Sequence, residues 1–205
     1  MLPHMSVAAS YLAELTRRLR AVLGEALVGV YAGGSYALGE YVPGRSDLDV
    51  AVVVRGPIAP SLADALVAAV RHDALPCPAR GLELVVYPLS VTSAPTAEAG
   101  FLLNLNTGAG MEFRADLDEA AAERHWFPID RSILAQHGVA LAGPPADAVF
   151  TALPRRELLP LLVASLVGTA RRPRAPTTPS STRPAPSATP ATAPGRGRTT
   201  RGAGR

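Results

Sequence analysis

Two aspartates, Asp47 and Asp49, flank a single leucine in "GRSDLDVAVVV", and the first lies twelve residues after Ser35 of a Gly33-Gly34-Ser35 turn. In an extended strand, residues i and i+2 project from one face with α-carbons roughly 6–7 Å apart. Two carboxylates so placed repel unless they share a hard divalent cation, and Mg²⁺ favours a few carboxylates plus phosphate and water oxygens. The glycine turn calls for the opposite charge. It lies between an apolar strand and an expected helix at 35–41, where backbone amides attract phosphate. Glycines admit that group without a β-carbon in the way, and Ser35 adds a hydroxyl donor. A metal on the aspartates and a phosphate on the turn are two ends of one metal–nucleotide complex. The chemistry implied is phosphoryl or nucleotidyl transfer, in which positioning and charge neutralisation do most of the catalysis.

Such a site calls for a third carboxylate on an adjacent strand. Glu83 in "LELVVYPL" fits, as an acid on the same face of an apolar run as Val85 and Tyr87. An acid buried there is costly unless paired or metal-bound. It either completes the metal site or takes the proton from an acceptor hydroxyl as general base. Each piece alone has an ordinary explanation: a plain turn, a loop with solvated acids, an edge-strand glutamate facing water. Their order along the chain is what ties them to one site.

The elements that position these residues follow from periodicity. Residues 6–23 carry Leu12, Leu15, Leu19, Val22 and Leu23 at helical spacing, and Gly24 stops the helix. Strands are expected at 26–32, 48–54 and 82–89, with a helix at 61–72 between the last two. Residues 101–107 and 111–115, joined by Gly108-Ala109-Gly110, read as a hairpin, and 117–124 as a short helix. Helices are also expected at 130–138 and 155–168; the second has leucines at 158, 159, 162 and 166 that need a partner surface. From Arg171 onward only Arg, Pro, Thr, Ser, Ala and Gly occur, a composition that cannot offset its ordering entropy and is expected to be disordered.

Charge narrows the partners. The formal net charge is +3, but eight of the 20 arginines lie in 171–205, leaving 12 against 17 acids and a net of −5 in the rest. An acidic body with a basic tail suits a small cationic substrate better than specific nucleic-acid binding. Cys77 is the one cysteine, so no internal disulfide forms, and with neither a signal segment nor a membrane-length apolar run the expected place is the cytoplasm.

The stretch "GGSYALGEYVPGRSDLDVAVVV" resembles the signature of the nucleotidyltransferase (DNA polymerase β-like) superfamily. Together with "LELVVYPLS" and "IDRSILAQHGVALAGPPADAVF", it is similar to the aminoglycoside adenylyltransferases that modify streptomycin and spectinomycin. The resemblance implies an α/β (α+β) nucleotidyltransferase domain at 1–150, a small mixed β-sheet flanked by helices. A truncated C-terminal helical domain would begin at 151–170, ahead of the disordered 171–205 tail. It implies ATP as co-substrate, Mg²⁺ on Asp47 and Asp49 with Glu83 as base or further ligand, and phosphate contacts from Gly33, Gly34, Ser35 and Ser46. Asp130 matches a family position near the nucleotide; a helix N-cap before 131–136 is its ordinary alternative. The expected acceptor is an aminoglycoside antibiotic, which would make the chain a resistance-type transferase. Transfer to a protein partner, as in antitoxin-type relatives, and an inactive remnant are the alternatives, since the bundle that completes the drug site gives way to the tail. The exposed apolar face of 155–168 is expected to favour self-association.

Overall fold

The computed structural model describes residues 3–117 and 125–171. Helix α1 (Pro3–Leu23) buries Tyr11, Leu12, Leu15, Leu19 and Leu23 along one stripe and ends where Gly24 takes a φ of +53°. Each leucine fully buried contributes about 1.5–3 kcal/mol. Strand β1 (Leu27–Ala32) follows, then the four-residue helix α2 (Gly34–Ala37), shorter than the expected 35–41. Strand β2 (Leu48–Val54), helix α3 (Pro60–Val70) and strand β3 (Leu82–Pro88) form a β-α-β unit, so β2 and β3 pair in parallel. A helical turn α4 (Leu89–Thr92) leads to the hairpin β4 (Leu103–Gly108) and β5 (Met111–Asp116), then α5 (Trp126–His137), β6 (Val139–Ala142) and α6 (Arg155–Arg171).

The strands form one mixed sheet in the order β5-β4-β3-β2-β1-β6, antiparallel except at β2–β3. This is the α+β architecture expected. Alternation divides the core. Val50, Val52, Leu82, Leu84 and Val86 face α1 and α3, while Ala51, Val53 and Tyr87 face a second cluster with Phe127, Leu134, Val149 and Phe150. Asp49 and Glu83 belong to that second face by the period of two. Because β3 is an interior strand, Glu83 is not the solvent-facing edge acid that was its ordinary alternative.

Two differences from the sequence expectation have physical causes. Helix α5 starts four residues before Asp130, with Pro128 in its first turn, where the missing amide costs nothing. Asp130 is therefore inside the helix and is not its N-cap. Strand β6, unassigned from sequence, is too short to show alternation and exists because it pairs with the free edge of β1. Trp126, at the start of α5, is 39% exposed. The expected helix at 117–124 and tail at 171–205 lie outside the described residues, apart from Leu117 and Arg171, the latter at the end of α6. Along α6, Leu159, Leu162, Val163 and Leu166 form an exposed stripe at helical spacing.

Candidate active site

Strand β1 delivers the glycine turn to the end of β2. The amide of Gly33 donates to the carbonyl of Asp49 at 2.8 Å, which fastens the turn to the strand that carries the acid. Gly34 has a φ of +50°, and a β-carbon there would lie 1.7 Å from Oδ2 of Asp49. Only glycine serves at that position. The amides that open a helix have no partner inside it, so those at the start of α2 are turned toward whatever the turn receives. Oγ of Ser35 is buried with no hydrogen-bond partner. Buried hydroxyls are normally satisfied, and one left open beside a glycine turn marks a place for an acceptor such as phosphate.

Asp49 and Glu83 are register partners on the parallel pair β2–β3, which places their α-carbons about 4.8 Å apart. Both line a recess of about 90 Å³ together with Gly33, Gly34, Tyr87 and Asp130. Leu134 and Ile133 of α5 close its apolar side. A recess of this size admits a hydrated ion or a phosphoryl group, and the rest of a nucleotide must extend beyond it. Crowding has a titration signature. Burial first, then the charges of Glu83 and Asp47, push Asp49 up to about 7, against the lowering pull of Arg80. Burial and Asp47 raise Glu83 as well. Asp130 is pushed up to about 7 by desolvation, then by Asp49 and Glu83, with Arg131 opposing. Its residue surface is open at the rim of the recess, so the facing carboxylates are the firmer cause of that rise.

Asp47 differs from its neighbour. It precedes β2 instead of lying in it, and its Oδ2 accepts an ion-pair hydrogen bond from Nη2 of Arg80. Ser46 holds the loop: its Oγ accepts from the Val42 amide at 3.0 Å, which leaves the hydroxyl proton to donate. Among the described residues, no three or more His, Cys, Asp or Glu side chains are grouped closely enough to hold a metal alone. A cation here needs oxygens from a ligand, which suits Mg²⁺ arriving with a triphosphate. The unpartnered Ser35 hydroxyl and the crowded acids, only partly offset by Arg80, fit such a complex.

Sequence reasoning missed two residues. Arg131 is 2% exposed and donates to the carbonyls of Ala99, Thr96 and Glu98 at 2.6, 2.9 and 2.6 Å, with its guanidinium 5.2 Å from the Tyr87 ring centre. It pins the 96–99 loop to α5 and so sets where Asp130 stands. Arg80 is the other. Neither carries a motif; only the tertiary arrangement shows what they face.

A nucleotidyltransferase domain family model matches residues 13–74, which hold the glycine turn and both aspartates. The fold of the chain is similar to that of the spectinomycin adenyltransferase AAD(9) from Enterococcus faecialis, solved with ATP and spectinomycin. That superposition has a TM-score of 0.56 at 16% identity and covers 78% of this chain and 66% of the other, so this chain spans just under two thirds of its length. A toxin–antitoxin structure solved with AMP-PNP is matched at a TM-score of 0.30 and 15% identity, over 77% of this chain and 91% of that one, too low to carry an argument. No curated protein matches the sequence at a significant level. No helix among the described residues is long and apolar enough to cross a membrane.

Proposed function

We propose that the chain transfers AMP from ATP to a hydroxyl of an aminoglycoside-type antibiotic such as streptomycin or spectinomycin. The observation that carries this is a recess that Gly33 and Gly34 of the glycine turn line together with the carboxylates of Asp49, Glu83 and Asp130, with the buried, unpartnered Ser35 hydroxyl next in the chain. The α2 amides and Ser35 bind phosphate oxygens, with Ser46 donating from the neighbouring loop. Asp47 and Asp49, with Glu83 as base or further ligand, would hold Mg²⁺ together with phosphate oxygens of the nucleotide; when bound, the ion neutralises the triphosphate and fixes its orientation. Glu83, whose proton affinity is raised by its surroundings, takes the acceptor's hydroxyl proton. The freed oxygen forms a bond to the α-phosphorus, the bond from that phosphorus to the bridging oxygen breaks, and pyrophosphate leaves. Asp130 would repel phosphate, so its place is on a hydroxyl of the nucleotide or on a cationic group of the acceptor.

A polycationic acceptor agrees with the acidic recess and with the net −5 of the chain before residue 171. We also infer self-association through the Leu159, Leu162, Val163 and Leu166 stripe of α6. The test of the transfer is mass spectrometry of streptomycin and spectinomycin incubated with the full chain and Mg-ATP. A drug heavier by one adenylate, with matching pyrophosphate release, is the expected product. Pyrophosphate release without a modified drug would overturn the acceptor assignment.

A further inference from the structure

Arg80 is the cation that stands against the acidic cluster. Its Nη2 donates to Asp47 Oδ2, and its charge also reaches Glu83 and Asp49. Its backbone is held on both sides. The amide donates to the carbonyl of Ser46 at 3.1 Å, and the carbonyl accepts from the Gly110 amide at 3.0 Å. The turn of the β4–β5 hairpin is built around it: β-carbons at Gly108 and Gly110 would stand 2.7 and 3.1 Å from its carbonyl oxygen. Residue 80 is thus seated between the loop before β2 and the hairpin turn, while its side chain remains 47% exposed. Main chain fixed and head group half in water is the arrangement of an arm that can swing.

We infer that Arg80 is a positioning residue that occupies Asp47 in the free protein and transfers its guanidinium to the triphosphate when a metal–nucleotide complex takes that carboxylate. This rests on the assignment of the recess as a metal–nucleotide site. The guanidinium and a divalent cation compete for one carboxylate, so the free chain resists metal alone. An ion pair with its arginine half exposed and its aspartate 24% exposed is open enough to water to exchange, and a guanidinium fork meets phosphate oxygens in two parallel hydrogen bonds as readily as it meets carboxylate. The consequence is order: metal enters with the nucleotide and not before it. Without the arm, Asp47 is free to bind metal early, and the triphosphate loses a partner.

Mn²⁺ binding to the full chain, followed by electron paramagnetic resonance with and without a non-hydrolysable ATP analogue, tests this on a readout independent of turnover. Arg80→Gln is expected to bind Mn²⁺ alone about fivefold tighter than the wild type and the Mn²⁺–analogue complex about fivefold more weakly. Arg80→Lys keeps the charge but not the fork, so its Mn²⁺ affinity stays low while the analogue binds less well. Mn²⁺ affinity unchanged or lowered in Arg80→Gln, with the Mn²⁺–analogue complex still binding, overturns the inference and leaves the site assignment standing. Failure of the wild type to bind the Mn²⁺–analogue complex at all overturns both.

Discussion

Gly34 and Asp49 are packed so closely that a β-carbon on the glycine would lie 1.7 Å from the carboxylate oxygen. The turn that would receive phosphate and the acid that would hold metal are therefore one mechanical unit. Gly34→Ala must move one or the other, and it also places alanine at a φ of +50°. A loss of about 1–3 kcal/mol in stability is expected, with nucleotide affinity down at least about tenfold. Gly33→Ala should be milder, since the nearest atom to its β-carbon would be Leu134 Cδ2 at 3.2 Å. Thermal melts and binding of an ATP analogue on the two variants check the contrast; wild-type binding by Gly34→Ala would contradict it.

The acidic recess sets a pH dependence. Asp49 is raised from 3.8 to about 7 in the fold. Between those values the folded chain binds more protons than the unfolded one, so this group's contribution to stability falls as pH rises from about 4 to 7. Asp130 acts in the same direction. Asp49→Asn removes the penalty and should be the more stable protein at pH 8, by about 1–2 kcal/mol, or roughly 3–8 °C in Tm. Below pH 4 the two should converge. Calorimetry of both proteins across this range tests the sign, and a wild type more stable than Asp49→Asn at pH 8 without metal would contradict it.

Arg131 makes a prediction of a different kind. Its three carbonyl partners lose their donor in Arg131→Met, of which that of Ala99 is buried and those of Thr96 and Glu98 are partly so. A destabilisation of about 2–4 kcal/mol is expected, measured by urea denaturation. A change under about 0.5 kcal/mol would mean that the loop does not depend on this clamp.

The parts of the site legible in the sequence are those whose reason is local. Gly34 is fixed by its own φ and by the acid against it, and "LDVAVVV" shows a central strand because both its faces are buried. Glu83 was visible as an acid inside an apolar alternation, and parallel pairing then set it beside Asp49. What stayed hidden depends on distant partners. Nothing near Arg80 in the chain shows that it meets Asp47, or that the Gly108–Gly110 turn seats it. Helix α5 starts ahead of the expected 130 because the first turn of a helix accepts Pro128. β6 is short and borrows its conformation from the edge of β1.

The exposed stripe on α6 bears on solution state. Leu166 is 71% and Val163 59% exposed, beside Leu159 and Leu162. Analytical ultracentrifugation is expected to show concentration-dependent association, abolished in Leu162→Glu/Leu166→Glu with Tm unchanged within about 2 °C. A wild type that stays monomeric at all concentrations would contradict the assignment of this stripe as a contact.

The central claim is that Asp49 and the glycine turn hold one metal–nucleotide complex, and calorimetric titration of a non-hydrolysable ATP analogue with and without Mg²⁺ tests it most directly. In the wild type Mg²⁺ is expected to tighten binding by at least about tenfold, close to 1.4 kcal/mol, and in Asp49→Asn to have no effect. Equal affinity with and without Mg²⁺ in the wild type, or a Mg²⁺ effect that survives in Asp49→Asn, would contradict the account.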